Sequence, residues 1–282
     1  MNIAVTGASG FIGQRLMDHL EREGHTTRAI SLRTVPRPES LEGCDAVVHL
    51  AGEPVAQRWT ATARQRILDS REKGTRMLVD AIRAQPPQVL VSASGVGYYG
   101  SRGNDVLTER EPPGADFLAH VCVAWEREAR EAQKLGVRVV TLRIGVVLGA
   151  GGGALQRMLT PFRLGVGGRI GSGHQWMSWI HIDDLCRLIG FILREGGVRG
   201  AVNATSPNPI TNAGFTRALA GAVHRPAVFP MPPIALKLLF GEMSQVLLGS
   251  QRAVPETALR VGFEFHYQEA GAALANILGA MS

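Results

Sequence analysis

The sequence predicts a doubly wound parallel α/β sheet followed by a small, mainly helical C-terminal region. Three observations predict it. Short apolar runs of strand length alternate with helical patterns, a glycine-rich turn joins the first strand to the first helix, and 282 residues suffice for one large domain with a small attachment. Strands covered by helices on both faces read as near-continuous apolar runs, which is the texture seen here.

The strand-like runs are residues 3–5, 27–32, 46–50, 89–92 and 137–142. Between the first two, Ile12, Leu16 and Leu20 recur every four residues and Gly24 follows, so 11–23 reads as an amphipathic helix and the whole as a βαβ unit. A second helix is expected over 61–83, stopped by Pro86 and Pro87, and a third over 115–133, stopped near Gly136. After residue 150 come glycine-rich loops around the helix-like ALQRMLTPFRL and a strand-like WMSWIHI. A helix beginning near Asp183 and a short strand at 201–204 follow. The expected division is 1–165 for the main domain, completed by elements near 174–206. Residues 166–232 then supply substrate-side insertions and the last sheet elements, and 233–282 a helical cap.

Gly7, Gly10 and Gly13 stand directly after the first strand and open the first helix. Such a turn is tight, lets backbone approach a diphosphate, and packs helix closely on strand, while the amides of the helix N-terminus face the phosphates. The pattern predicts a Rossmann-type dinucleotide site using Gly7, Ser9, Gly10, Phe11, Ile12 and Gly13. An NAD site would carry a carboxylate at the end of the second strand. Here Ser31, Leu32 and Arg33 stand there, and arginine pairs with a 2′-phosphate, so the expected cofactor is NADP(H). Ala51 and Gly52 let the chain pass close to the adenosine ribose, and Glu53 either touches the nicotinamide side or is an ordinary loop carboxylate. The expected set also takes in Leu50, Arg71, Ser92, Ile144 and Gly145. His49, inside an apolar strand, reads as a core histidine.

The segments TGASGFIG (6–13), HLAG (49–52), SASGVGYYG (92–100), LRIGVVLG (142–149) and WIHIDDL (179–185) resemble the extended short-chain dehydrogenase/reductases of the epimerase and dehydratase type. AGEPVAQRW, CVAWE, PFRLGVGG and GSQR narrow the resemblance to an atypical epimerase-like subfamily with a C-terminal domain of unknown function. Some of its members are labelled cell-division inhibitors. The resemblance implies a nicotinamide cofactor and a substrate cleft between the sheet and the C-terminal half. It also implies a serine for the substrate oxygen and a Tyr/Lys pair spaced i, i+4 on one helix face.

That pair is missing. Four residues after Tyr98, Tyr99 and Tyr267 stand Arg102, Gly103 and Gly271, and the three lysines have no tyrosine four residues before them. Matching the helix through Glu126 puts Leu118 and Cys122 at the two positions. Ser94 fits the serine position or serves as an ordinary loop serine. Tyr98, Tyr99 and His120 are the remaining candidates to handle a proton, against structural loop tyrosines and a surface histidine. His181 and Asp183 are expected to share one face of a strand, with Asp183 or Asp184 capping the next helix. On the substrate side, Gln175, Trp176 and Trp179 could line the cleft, and Arg143, Arg163 and Arg169 could clamp an anion.

Two functional readings follow. One is an oxidoreductase or epimerase acting on a small carbonyl or sugar-like substrate of unknown identity; the other is a non-catalytic NADPH-binding sensor or regulator. The net charge of +6 comes from scattered arginines, and aromatic residues make up 6%, so no nucleic-acid surface is expected. Cys44, Cys122 and Cys186 are odd in number and far apart, which argues against disulfides and metal sites. No spanning run and no signal peptide are evident, so a cytoplasmic protein without a membrane partner is expected, with a homodimer possible.

Overall fold

The computed structural model describes residues 1–34 and 36–279. The first half alternates strand and helix: β1 (Asn2–Thr6), α1 (Phe11–Arg22), β2 (Thr26–Ile30), β3 (Ala46–His49), α2 (Ala61–Ile82), β4 (Val89–Gly95), β5 (Val106–Leu107), α3 (Phe117–Arg130) and β6 (Arg138–Ile144). Then follow β7 (Val146–Leu148), α4 (Gly153–Arg163), β8 (Trp176–Met177), β9 (Trp179–His181), α5 (Ile182–Arg194), β10 (Gly200–Ala204) and β11 (Ile210–Thr211). The remainder is α6 (Asn212–Ala222), α7 (Pro233–Phe240), α8 (Ser244–Leu248), β12 (Arg252–Ala253), α9 (Glu256–Arg260) and α10 (Ala270–Gly279).

Six of these strands form one parallel sheet in the order β10-β6-β4-β3-β1-β2, so the doubly wound fold class is the one observed. Its side chains alternate between two cores. Ile3, Val5, Val48, Val91 and Leu142 face α1 and α5, whereas Ala4, Val47, Leu90 and Val139 face α2 and α3. Burial on both faces is why these runs lack the polar alternation of a half-exposed strand. From β1 the chain steps outward to β2, then crosses to the other side of β1 for β3. This reversal opens a crevice beyond the carboxyl ends of β1 and β3, where open sheets of this class bind ligands.

Side-chain caps fix two helix starts: Thr60 accepts from the Ala63 amide and Asp116 from the Ala119 amide. A third core joins α4, α6 and α10 through Leu155, Leu159, Phe162, Phe215, Leu219 and Leu274. The strand-like WMSWIHI is interrupted at Ser178, and its two pieces pair with different partners, β11 and β7. The shared strand face expected for His181 and Asp183 does not exist, because α5 starts at Ile182. His181 itself caps that helix, its Nδ1 accepting from the Asp183 amide. Asp184 does something else. Fully buried, its carboxylate accepts from the His266 and Tyr267 amides at 3.0 and 2.8 Å and from Arg187 at 2.8 Å, fastening the C-terminal segment to α5.

Candidate functional site

At the end of β1 the site is made of backbone. Gly7 has φ +70°, and a Cβ on Gly13 would lie 2.2 Å from the Gly7 carbonyl oxygen. Any side chain at Gly13 would therefore drive the helix off the turn. Gly10 caps α1 without a side-chain bond, and the first turn holds no acid, so its amide donors stay available to an anion. Ser9 is exposed beside them. Phe11 and Ile12 contribute backbone: the Phe11 ring fills the space over Gly149, Gly152 and Gly153, and Ile12 packs on the core. Thr6 Oγ1 accepts from the Leu50 and Ala51 amides, tying the end of β3 to this turn.

At the end of β2, the Arg33 amide donates to Ser31 Oγ, and the exposed guanidinium makes no ion pair among the described residues. Leu32 packs on the core beneath it. Beyond β3, Arg71 is buried against Gly52, with its guanidinium 4.8 Å over the Trp125 ring. Its Nη1 donates to the carbonyls of Glu53 and Ile67, and no carboxylate pairs with it among the described residues. Burial pulls the Arg71 pKa below its ordinary value. Glu53 instead accepts from Gln57 and Arg66. His49 lies 2.6 Å from Thr6 Oγ1 and 2.9 Å from Thr75 Oγ1, fully buried; burial and then the nearby Arg71 push its pKa down to about 3.

At the end of β4 the site is made of side chains that bind one another. Ser94 Oγ donates to Glu126 at 2.9 Å. Glu126, with no exposed surface, also accepts from Arg143 Nε at 2.8 Å and Nη2 at 3.1 Å and from Arg130 at 2.6 Å. Arg143 Nη1 donates to Tyr99, whose hydroxyl donates to Asn203 at 2.7 Å. Burial pushes the Tyr99 hydroxyl up to about 12. Tyr99 is therefore corrected from proton donor to core residue: it has no exposed surface and its hydroxyl is occupied. Tyr98 differs. Its ring lies under the Arg143 guanidinium, 3.4 Å from the centroid, and its hydroxyl has no partner among the described residues.

The helix register read from the sequence is the one observed. Leu118 lies over Gly97, and the Cys122 thiol reaches the Gly95 carbonyl at 3.6 Å, so the face of α3 turned to the end of β4 presents these two residues. Burial pushes the Cys122 thiol up to about 11, so it stays neutral. His120 is corrected as well: two residues from each of them, it is carried to the exposed side of α3, away from β4. Ser92 is buried inside β4, donating to the Ala93 carbonyl. Ile144 pairs with Gly95 across the sheet, and a Cβ on Gly145 would lie 2.7 Å from the Ser178 carbonyl oxygen.

Several substrate-side expectations are also corrected. Arg143 is held by Glu126 and cannot clamp an external anion. Trp179 is buried and donates to the Asn208 carbonyl; Trp176 donates to Asn104 under the Arg252 guanidinium; Gln175 donates to the Ile170 carbonyl and to the Leu247 carbonyl of α8. Each of the three is spent on holding the fold together. Arg163 and Arg169 are exposed and lie in no ion pair among the described residues. Sequence reasoning missed Glu126 and Asn203. A carboxylate eight residues beyond Leu118 on the buried helix face, opposite an arginine inside an apolar strand, is the signal that could have found the first.

A switch-point crevice with a bare glycine turn and an uncapped helix N-terminus defines a dinucleotide-binding Rossmann-type protein. Residues 3–204 match the NAD dependent epimerase/dehydratase family, and 231–277 match a domain of unknown function, DUF1731. The chain belongs to that epimerase/dehydratase family. Among its relatives, the chloroplastic epimerase family protein SDR39U1 homolog of Arabidopsis thaliana is 40% identical, covering 99% of this chain and 87% of that one. YfhF of Bacillus subtilis is 37% identical over 99% and 98%. The crystal structure of human SDR39U1 (isoform 2) with NADPH superposes with a TM-score of 0.91 at 35% identity, covering 99% of both chains. Among the described residues no helix is long and apolar enough to cross a membrane, and no group of His, Cys, Asp and Glu could hold a metal ion.

Proposed function

We propose that this chain is an NADP(H)-binding oxidoreductase or epimerase-like enzyme acting on a small carbonyl or sugar-like substrate without the Tyr/Lys pair. The observation that carries the cofactor choice is Arg33, an exposed guanidinium without an ion-pair partner among the described residues, at the end of β2 where an NAD site would hold a carboxylate. The NADPH bound by the human relative supports the same reading. The glycine turn and the α1 amides hold the diphosphate. Arg71, buried beside Gly52 and lacking a carboxylate, offers the positive charge that the missing lysine would supply. A bound nicotinamide supplies a hydride donor or acceptor. Ser94, oriented by Glu126, presents an oxygen at the end of β4. Tyr98, pinned by Arg143, keeps a hydroxyl able to hold or move a proton.

Fluorescence titration with NADPH and NADH tests the cofactor choice. Arg33→Ala should weaken NADPH binding about tenfold or more, the size of a lost charge-assisted pair, and leave NADH unchanged. Equal effects on both would remove Arg33 from the 2′-phosphate. Catalysis is checked by NADPH oxidation over a carbonyl panel, with Tyr98→Phe and Ser94→Ala expected to lower the rate about a hundredfold. The second reading, a non-catalytic NADPH sensor, is favoured by the apolar Leu118 and neutral Cys122 where the superfamily's acid and ammonium would stand. It predicts tight NADPH binding with no turnover on any member of the panel.

A further inference from the structure

Two stretches of this sequence, residues 132–182 and 196–241, contain no aspartate or glutamate at all, although the chain has 24 such residues. Both stretches meet on one surface. The loop after α4 runs beside the segment leading into α7: the Phe229 amide donates to the Gly167 carbonyl, the Met231 amide to Arg169, and the Gly171 amide to Met231. On this surface Leu164, Val166, Phe229, Ile234, Leu238 and Leu239 are each more than half exposed. In α7 only Leu236 is buried, and Ile234, Leu238 and Leu239 project outward. Large apolar side chains in such a cluster mark a contact surface. Arg163, Arg169, Arg225 and Lys237 are exposed around them, and none lies in an ion pair among the described residues.

We propose that this face docks on an anionic lipid surface, with α7 and the 164–169 loop lying in the headgroup region. The charge pattern selects the occupant. A second copy of the chain would bring the same unpaired cations against themselves, and Glu242, the first carboxylate after α7, is already paired with Arg64. A bilayer rich in acidic headgroups takes the apolar side chains below its surface while the arginines and the lysine reach its phosphates. The surface-lying mode needs no spanning helix, so it replaces the expectation that the chain has no membrane partner.

Vesicle co-sedimentation of the full chain tests this, comparing phosphatidylcholine vesicles with phosphatidylcholine vesicles doped with phosphatidylglycerol. Binding is expected only to the doped vesicles and should weaken as salt rises, since headgroup attraction is screened. Leu238→Glu should weaken it about tenfold or more, and Arg163→Glu with Lys237→Glu by a similar factor. Leu238 is 75% exposed, so its replacement should leave the melting temperature and NADPH binding unchanged, which separates docking from folding. Equal sedimentation with both vesicle types, or binding that survives Leu238→Glu, overturns the proposal. So does light scattering that finds a dimer which Leu238→Glu dissociates, or binding to an acidic peptide but not to the doped vesicles.

Discussion

The ends of β1 and β4 lie along one edge of the same sheet with only the end of β3 between them, yet they are built on opposite plans. At β1 the working groups are amides, and side chains are kept out: a Cβ on Gly13 would collide with backbone, and nothing caps α1. At β4 the working groups are side chains, and they face one another: Ser94, Glu126, Arg143, Tyr99 and Asn203 form one buried chain of bonds. The first plan leaves donors free for a ligand. The second leaves the hydroxyl of Tyr98 free and turns most of its polarity inward. A family member can therefore keep its cofactor turn intact while its chemistry drifts, because the two ends answer to different constraints.

The sharpest way to break this contrast is to put a side chain where the first plan forbids one. Gly13→Val should abolish measurable NADPH binding by titration and destabilise the protein beyond the ~1–3 kcal/mol of ordinary overpacking, since the clash is with backbone that cannot swing aside. Retained binding would mean that the turn relaxes freely. The second plan is broken by removing its central carboxylate. Glu126→Ala strands Arg143 in the core and should cost about 3–5 kcal/mol in denaturant unfolding, whereas Glu126→Gln, which keeps some bonds, should cost less. A loss below about 1 kcal/mol for Glu126→Ala would mean that water reaches Arg143 and that the chain of bonds is not dry.

The most gradual effect, a loss nearly absent at neutral pH, lies between the two ends, at His49. Burial holds this histidine neutral, with its pKa at about 3 against an unfolded value near 6.5, so below 6.5 the unfolded chain binds a proton that the folded chain refuses. Its contribution is fully present above about pH 6.5 and is lost progressively down to about 3, with a slope of at most about 1.4 kcal/mol per pH unit. Urea unfolding of the wild type and of His49→Asn at a series of pH values measures this slope. An identical pH dependence in both would show that His49 is charged in the folded protein or that other groups dominate.

Backbone-built features were readable in the sequence, and side-chain-built ones were not. Glycine spacing and apolar runs are local: Gly7, Gly10 and Gly13 lie within one turn, and residues 3–5 announce a strand by themselves. The register of α3 was also readable, since Leu118 and Cys122 follow from the helical period. The bonds that decide the roles of Tyr99 and Arg143 span far more chain: Asn203 is 104 residues from Tyr99, and no local pattern distinguishes an arginine awaiting a ligand from one already paired. His181 was misread because apolar alternation continued to the first residue of α5. There the period changes from 2 to 3.6 without a glycine or proline to mark it.

Asp184 carries a consequence for the order of events during synthesis. Its carboxylate is satisfied by the amides of residues 266 and 267, some 80 residues further along the chain. While those residues are still being made, α5 can already pack on the sheet, but the Asp184 carboxylate is then held by Arg187 alone, without its two amide donors. The main domain is thus held short of its final stability until residues 266 and 267 emerge. A chain truncated before Phe265 should fold into a sheet that stays open to solvent around Asp184 and aggregates or is degraded. Quality control by the cell would then act on whether residues 266 and 267 have reached α5, since a segment made late closes a domain formed early.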